Sequence, residues 1–288
     1  MKNNIILAII LLLTIISNVD AKEHNIPTKK GILLVAFGSS IPKAQETFLQ
    51  IDKKVKDTFP SIEVRWAYTS SIIREKLAKE GKKLDSVELA LAKMMDDKFT
   101  HIVIQSLHTI CGEEFHDLVQ TINAFKSMPG SFNKILLGPP LLYNDEDMTN
   151  VSEAILKIIP KDRKKDDAVI LMGHGTPHPS NTAYAALMYH LQKEDSNIYV
   201  ATVEGTPTIY DVKDILIEKK ITKSYLMPFM AVAGDHALND MAGDNNESWK
   251  MILGKSNISC VPILKGTAEY EELLKIWINH LKDVFKKL

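Results

Sequence analysis

Three apolar runs in the second half of the chain decide how it folds: Ala168-Val-Ile-Leu-Met-Gly-His174-Gly-Thr-Pro, Asn197-Ile-Tyr-Val-Ala-Thr-Val-Glu204-Gly-Thr-Pro and Tyr225-Leu-Met-Pro-Phe-Met-Ala-Val-Ala-Gly-Asp-His236. Near-continuous Val, Ile and Leu closed by glycine turns is the pattern of strands buried on both faces, as in a parallel sheet. In open sheets of that kind, ligands bind outside the carboxyl ends of the strands. Each run ends in a side chain able to hold a metal or move a proton, so three neighbouring strand ends would gather His174, Glu204 and His236 around one cleft.

The rest of the chain repeats the pattern. Gly31-Ile-Leu-Leu-Val-Ala-Phe37, Ile62-Glu-Val-Arg-Trp-Ala-Tyr68, His101-Ile-Val-Ile-Gln-Ser-Leu107 and Lys134-Ile-Leu-Leu137 read as four strands, and Ile258-Ser-Cys-Val-Pro-Ile-Leu264 gives the second half its fourth. Shared punctuation marks an internal repeat. Gly38-Ser39-Ser40 follows the first strand as Gly175-Thr176-Pro177 follows its counterpart, and Gly112-Glu113-Glu114 matches Gly234-Asp235-His236. On this register Phe37 stands opposite His174, and Glu114 opposite His236. The chemistry is therefore expected in the second half, with the first supplying walls and substrate contacts.

The expected architecture is α/β, with two similar flavodoxin-like lobes over residues 29–147 and 148–288. Each is a four-stranded parallel sheet flanked by helices, and the cleft lies between them. Helical period is visible from Pro42 to Phe59, with Ala44, Phe48, Ile51 and Val55 on one face, and from Ser86 to Lys98, with Leu89, Ala92 and Met95 on one face. The runs Met148–Ile159 and Ala268–Phe285 are candidates to cross between the lobes.

Composition narrows the class. With 288 residues, 45% hydrophobic and 25% charged, the chain has the make-up of an ordinary globular protein, which sets aside disordered, collagen-like and disulfide-scaffold classes. A formal net charge of -1 and the lack of a basic cluster interleaved with aromatics argue against nucleic acid as a partner. Lys2, the apolar run Ile5–Ile16 and the small residues Val19 and Ala21 read as a secretory signal over residues 1–21, which implies a periplasmic or otherwise exported protein with no stable membrane insertion after cleavage. An uncleaved anchor is the competing reading, although the run is shorter than the ~20 residues a spanning helix needs. Cys111 and Cys260 are read as two free buried thiols.

Gly173-His174-Gly175 places an imidazole between two glycines just past a buried strand, where the backbone can turn and present the ring to a cleft. The alternative is a structural histidine capping the next helix. Glu204 ends an apolar run with no adjacent cation, which suggests a partner supplied by the fold; it could instead accept helix N-terminal amides. His236 opens a helix in an acidic neighbourhood, where Asp235 or Asp240 could orient the ring. His178 reads more simply as a loop neighbour of the site. Two imidazoles and a carboxylate suit a first-row metal with open positions, and the same trio would serve acid/base catalysis. No His-Glu-x-x-His, Gly-x-Ser-x-Gly, Gly-x-Gly-x-x-Gly or phosphate-cradling Gly-x-x-x-x-Gly-Lys-Ser/Thr occurs, which removes zinc protease, esterase, dinucleotide enzyme and nucleotide hydrolase as easy readings.

Leu33-Leu-Val-Ala-Phe-Gly38-Ser39-Ser40, Gln105-Ser-Leu-His-Thr-Ile-Cys-Gly112-Glu-Glu, Gly173-His-Gly-Thr-Pro-His178, Val203-Glu-Gly-Thr-Pro207 and Ala233-Gly-Asp-His236-Ala-Leu-Asn-Asp-Met-Ala-Gly243 occur in that order through nearly all of the chain after its leader. Together they resemble the anaerobic-type cobalt chelatases of the CbiK family. The resemblance implies a class II chelatase fold that inserts Co2+ into sirohydrochlorin or its one-step precursor, precorrin-2, without nucleotide hydrolysis; Fe2+ is a second candidate metal, because raw affinity at such donors does little to separate neighbouring ions. It carries the family's two metal-handling histidines to His174 and His236 and its active-site glutamate to Glu204.

A flat apolar ring edged with carboxylates calls for aromatic and aliphatic walls and a cationic rim. Phe37, Gly38, Ser39, Tyr68, Met230 and Phe229 are the expected substrate contacts, and Lys43, Arg74 and Lys265 the expected rim. The family's chemistry is cytoplasmic, whereas this chain carries an export-like leader; exported relatives suggest a second role in haem or metal handling. For that role His116, opening a helix, is the candidate haem ligand, with the interface of a homo-oligomer as one place for it to act. The second functional reading is accordingly an exported tetrapyrrole or metal carrier on the chelatase scaffold.

Overall fold

The computed structural model describes residues 27–288. The expected export signal, residues 1–21, lies outside the described residues. The first lobe runs β1 (Lys30–Ala36), α1 (Pro42–Thr58), β2 (Glu63–Tyr68), α2 (Ser71–Lys79), α3 (Val87–Asp96), β3 (His101–Ser106), α4 (Glu113–Ser127) and β4 (Lys134–Gly138). Helix α5 (Asp145–Ile158) leads into β5 (Ala168–Gly173), α6 (Thr182–Glu194), β6 (Ile198–Thr202), α7 (Ile209–Glu218), β7 (Lys223–Pro228), α8 (Trp249–Gly254) and β8 (Ser259–Pro262), and α9 (Glu271–Phe285) follows.

Both sheets are parallel and have the same order, β2-β1-β3-β4 and β6-β5-β7-β8. The repeat read from the punctuation is thus a repeat of topology. In each sheet the chain leaves the first strand to one side and returns on the other, so the order reverses between β1 and β3 and between β5 and β7. That reversal opens a crevice at the carboxyl ends, because the connecting helices diverge to opposite faces.

Side-chain alternation divides the core into three. Ile32, Leu34 and Ala36 of β1 and Val169 and Leu171 of β5 belong to one apolar cluster that spans both lobes. Leu33 and Val35 face outward to a cluster under α3 and α4, and Ala168, Ile170 and Met172 face outward to another under α7 and α8. The central cluster is filled by Val151 and Ile155 of α5, Leu187 and Leu191 of α6, and Leu273, Trp277 and Leu281 of α9. Helix α9 packs on β3, β4 and α5, while α5 also packs on α6. The last helix in sequence therefore covers the first sheet, and residue 147 lies inside α5 rather than in a linker.

Local signals account for most of the helices. Pro42 occupies the first turn of α1, where its missing N–H costs nothing, and Ala44, Phe48, Ile51 and Val55 are buried as the periodicity predicts. Asn144 caps α5 by accepting the Asp147 N–H at 2.9 Å. The Thr208 hydroxyl accepts the Asp211 N–H at 3.2 Å, while the Asp211 carboxylate accepts the Thr208 N–H at 2.7 Å, a reciprocal cap for α7. In α3 the expected face is rotated: Val87, Ala90, Leu91 and Met94 are buried and Leu89 is exposed, because the sheet contact is made with Phe99 and Ile102. Among the described residues no helix is long and apolar enough to cross a membrane.

Candidate functional site

The cleft lies between the carboxyl ends of the two sheets and encloses about 760 Å³, within the range of small-molecule sites. His174 enters it directly after β5. Gly175 then adopts φ +80°, and a Cβ there would stand 2.7 Å from Thr202 Cβ and 2.9 Å from the Glu204 carbonyl carbon, so the turn needs glycine on both conformational and steric grounds. That close approach lets the Glu204 N–H donate to the His174 carbonyl at 2.8 Å and the Val203 N–H to the Gly173 carbonyl at 3.1 Å. Glu204 is thereby delivered beside His174, its Oε2 lying 4.0 Å from His174 Nδ1.

His236 arrives from the other side of the switch point, at the end of the segment after β7, just before a π-type turn over Ala237–Met241. Such turns often reposition side chains at functional sites. Its ring centroid is 4.8 Å from that of His174 with the planes 80° apart. His236 Nδ1 lies 2.5 Å from Asp240 Oδ2, four residues on. His174 Nδ1 lies 3.0 Å from the Gly175 carbonyl. A carbonyl and a carboxylate can only accept, so Nδ1 is the donor in both rings, and in the neutral form of each ring Nε2 is the nitrogen that keeps a lone pair. Asp240, not Asp235, orients His236; Asp235 accepts from Asn239 Nδ2 at 3.0 Å. Among the described residues no three His, Cys, Asp or Glu side chains are drawn together tightly enough to enclose an ion. The paired imidazoles with a carboxylate set back beside them form an open holder.

The first lobe lines the opposite side. Phe37, 44% exposed, stands 6.2 Å from the His174 ring, and Gly38, Ser39 and Met230 also line the cleft. Tyr68 does not. It is 2% exposed, packed on Phe48 at 5.2 Å beneath Gly38, and burial pushes its hydroxyl up to about 12. Phe229 is likewise core, against Tyr184 at 6.4 Å. Tyr68 ends β2 and Phe229 directly follows β7, and the pleat turns both side chains into the packed layer instead of over the edge.

The expected cationic rim is also displaced. Lys43 Nζ donates to the Leu264 carbonyl at 2.8 Å, Arg74 Nη1 to the Tyr68 and Thr69 carbonyls at 2.5 and 2.7 Å, and Lys265 lies over the Tyr270 ring at 3.9 Å. None of the three lines the cleft. The lining includes instead Ile72, Ile73 and Lys76 of α2, a helix not anticipated from the sequence. A signal for it exists in Ser70, whose hydroxyl accepts the Ile73 N–H at 3.3 Å as an N-cap.

His108 lines the cleft from the segment after β3. Its Nδ1 is 2.8 Å from Ser106 Oγ, while its Nε2 is buried and unpartnered among the described residues. Burial pushes this imidazole down to about 4, so it is neutral at physiological pH. His116 is exposed one residue beyond the lining segment Gly112–Phe115, its ring edge-on to His178 at 4.7 Å. His178 Nδ1 accepts the Ser180 N–H at 3.1 Å, a capping role. Cys111 and Cys260 are free and half-buried, less enclosed than expected, and burial pushes both thiols up.

A doubled, doubly wound sheet with two imidazoles and a carboxylate at the switch point of one lobe defines a two-lobed α/β protein with its cleft between the lobes. Solved structures agree on the fold: SirB from Bacillus subtilis with Fe3+ (TM-score 0.59, 16% identity, 89% of this chain and 96% of that one) and CbiX, the terminal enzyme for biosynthesis of sirohaem in denitrifying bacteria (TM-score 0.55, 15% identity, 88% and 98%). The family described as cobalt chelatase (CbiK) matches residues 30–286, and the chain belongs to that family. It is 42% identical over 266 residues to the sirohydrochlorin cobaltochelatase CbiKC of Nitratidesulfovibrio vulgaris, covering 92% of this chain and 94% of that protein. It is 32% identical over 255 residues to the sirohydrochlorin cobaltochelatase of Salmonella typhimurium, covering 88% and 95%.

Proposed function

We propose that this protein is a sirohydrochlorin cobaltochelatase, inserting Co2+ into the metal-free macrocycle with release of two pyrrole protons. The observation that carries the reading is end-to-end similarity to two sirohydrochlorin cobaltochelatases, one at 42% identity. Co2+ is substrate here; Fe2+ is the alternative metal, since imidazole and carboxylate donors discriminate poorly between neighbouring first-row ions.

Insertion requires that the ion lose water, be held beside the ring, and replace two N–H protons. In our reading His174 Nε2 and His236 Nε2 hold the ion, and Glu204 beside them supplies charge and a third oxygen donor. The geometry suits this: both lone pairs are fixed by the partners of Nδ1, and the holder is open on the side facing the first lobe. As the ion passes to the macrocycle the imidazoles regain free lone pairs, so they can accept the protons that the pyrroles give up. The accounts balance, with one divalent ion in and two protons out.

Residues 1–21 are read as an export signal from their sequence pattern, which would place the enzyme outside the cytoplasm and keeps the carrier reading as its rival. Haem ligation by His116 gains no support from the site and is left out of the function. The test is anaerobic absorbance of the protein lacking residues 1–21 with sirohydrochlorin and Co2+, beside His174→Ala and His236→Ala. Enzyme-dependent appearance of the cobalt complex, lost in both variants, is the expected result. Tetrapyrrole binding without acceleration would sink the enzyme reading in favour of the carrier.

A further inference from the structure

The lining of the cleft is electrostatically lopsided. Glu113, Glu114, Glu204 and Asp235 all line it, and among the described residues Lys76 is the one lysine or arginine that does. A carboxylate-edged macrocycle entering such a space is repelled along the acidic edges and attracted at one point. Lys76 is exposed and forms no ion pair among the described residues, whereas Lys43, Arg74 and Lys265 are engaged elsewhere. On α2, Ile72 lies one turn before Lys76, so the two side chains share a helix face. Ile72 is 66% exposed although it borders a cleft, an apolar side chain with nothing yet covering it.

We infer that α2 is the recognition edge for the tetrapyrrole: Lys76 binds a peripheral carboxylate while Ile72 and Ile73 bear on the flat ring. The inference rests on the chelatase reading of the same cleft. It supplies what that reading lacks, a reason for the ring to enter in one orientation. Anchored at α2 and repelled by the acids elsewhere, the macrocycle turns its substituents away from the carboxylates and brings its nitrogens toward His174 and His236. The acidic residues then act on the cation, and the single lysine acts on the anionic ring.

The test uses Lys76→Gln, Lys76→Glu and Lys76→Arg in the full protein, with steady-state insertion of Co2+ and, separately, equilibrium binding of metal-free sirohydrochlorin followed by absorbance. Lys76→Gln is expected to raise KM and the dissociation constant about three- to tenfold, as for a partly screened ion pair, with kcat within about twofold. Lys76→Glu should exceed that, and Lys76→Arg should restore most of it. Raising salt should weaken wild-type binding more than binding by Lys76→Gln. Unchanged KM and affinity in both Lys76→Gln and Lys76→Glu, or a fall in kcat alone, would overturn the inference while leaving the chelatase intact. A wild type that inserts no metal would overturn the chelatase, and the binding measurement would still decide the role of Lys76.

Discussion

His108 gives the fold a measurable sensitivity to acid. An imidazole in water titrates near 6.5, whereas burial holds His108 down to about 4. Because the folded value lies below the unfolded one, the folded state disfavours the proton. The associated stability is fully present above pH ~6.5, falls as the pH drops, and is gone below about 4. Between pH ~7.5 and pH ~5 the unfolded chain takes up nearly a full proton here that the folded chain refuses, which amounts to about 2 kcal/mol. His108→Asn removes the titration and can keep a hydrogen bond to Ser106. Urea unfolding of both proteins at the two pH values isolates the effect: wild type should lose about 2 kcal/mol more than the variant over this interval. Equal losses would mean that the ring protonates freely in the fold, and the argument from its buried, unpartnered Nε2 would fail.

Two further outcomes follow from the site geometry. Asp240→Asn should leave the fold intact and lower kcat/KM for metal insertion about 10- to 100-fold, because a neutral amide holds the His236 Nδ1–H less firmly; a pH–rate profile that moves in the variant separates this from a packing defect. Gly175→Ala should cost about 1–3 kcal/mol in thermal unfolding and also reduce activity, since relieving the contact with the Glu204 backbone shifts that carboxylate away from His174. An alanine variant as stable and active as wild type would show that this turn has slack.

The trio His174, Glu204 and His236 was legible because each residue terminates its own buried run, and parallel strands bring such ends together whatever their separation in sequence. The repeat was legible for a similar reason, as glycine turns recur at matching points. What the pattern left open was the direction of individual side chains. Tyr68 and Phe229 stand at strand ends as Phe37 and His174 do, yet each lies one register position earlier along the pleat, which sends it into the core. Helix α2 is short and holds a single fully buried side chain, Leu77, so its periodicity is faint and its three cleft-lining residues went unread. Lys43, Arg74 and Lys265 sit near the right place, but backbone carbonyls and an aromatic ring claim them, which no spacing rule reveals.

The placement of α9 has a consequence for synthesis. The first sheet is complete in sequence at Gly138, yet the helix that covers its inner face begins at Glu271. As the chain emerges amino end first, β3 and β4 wait with an apolar surface bare until Glu271–Phe285 has been made. The first lobe is therefore finished after the sheet of the second, and a prematurely terminated chain exposes the surface that quality-control proteases and holdase chaperones recognise.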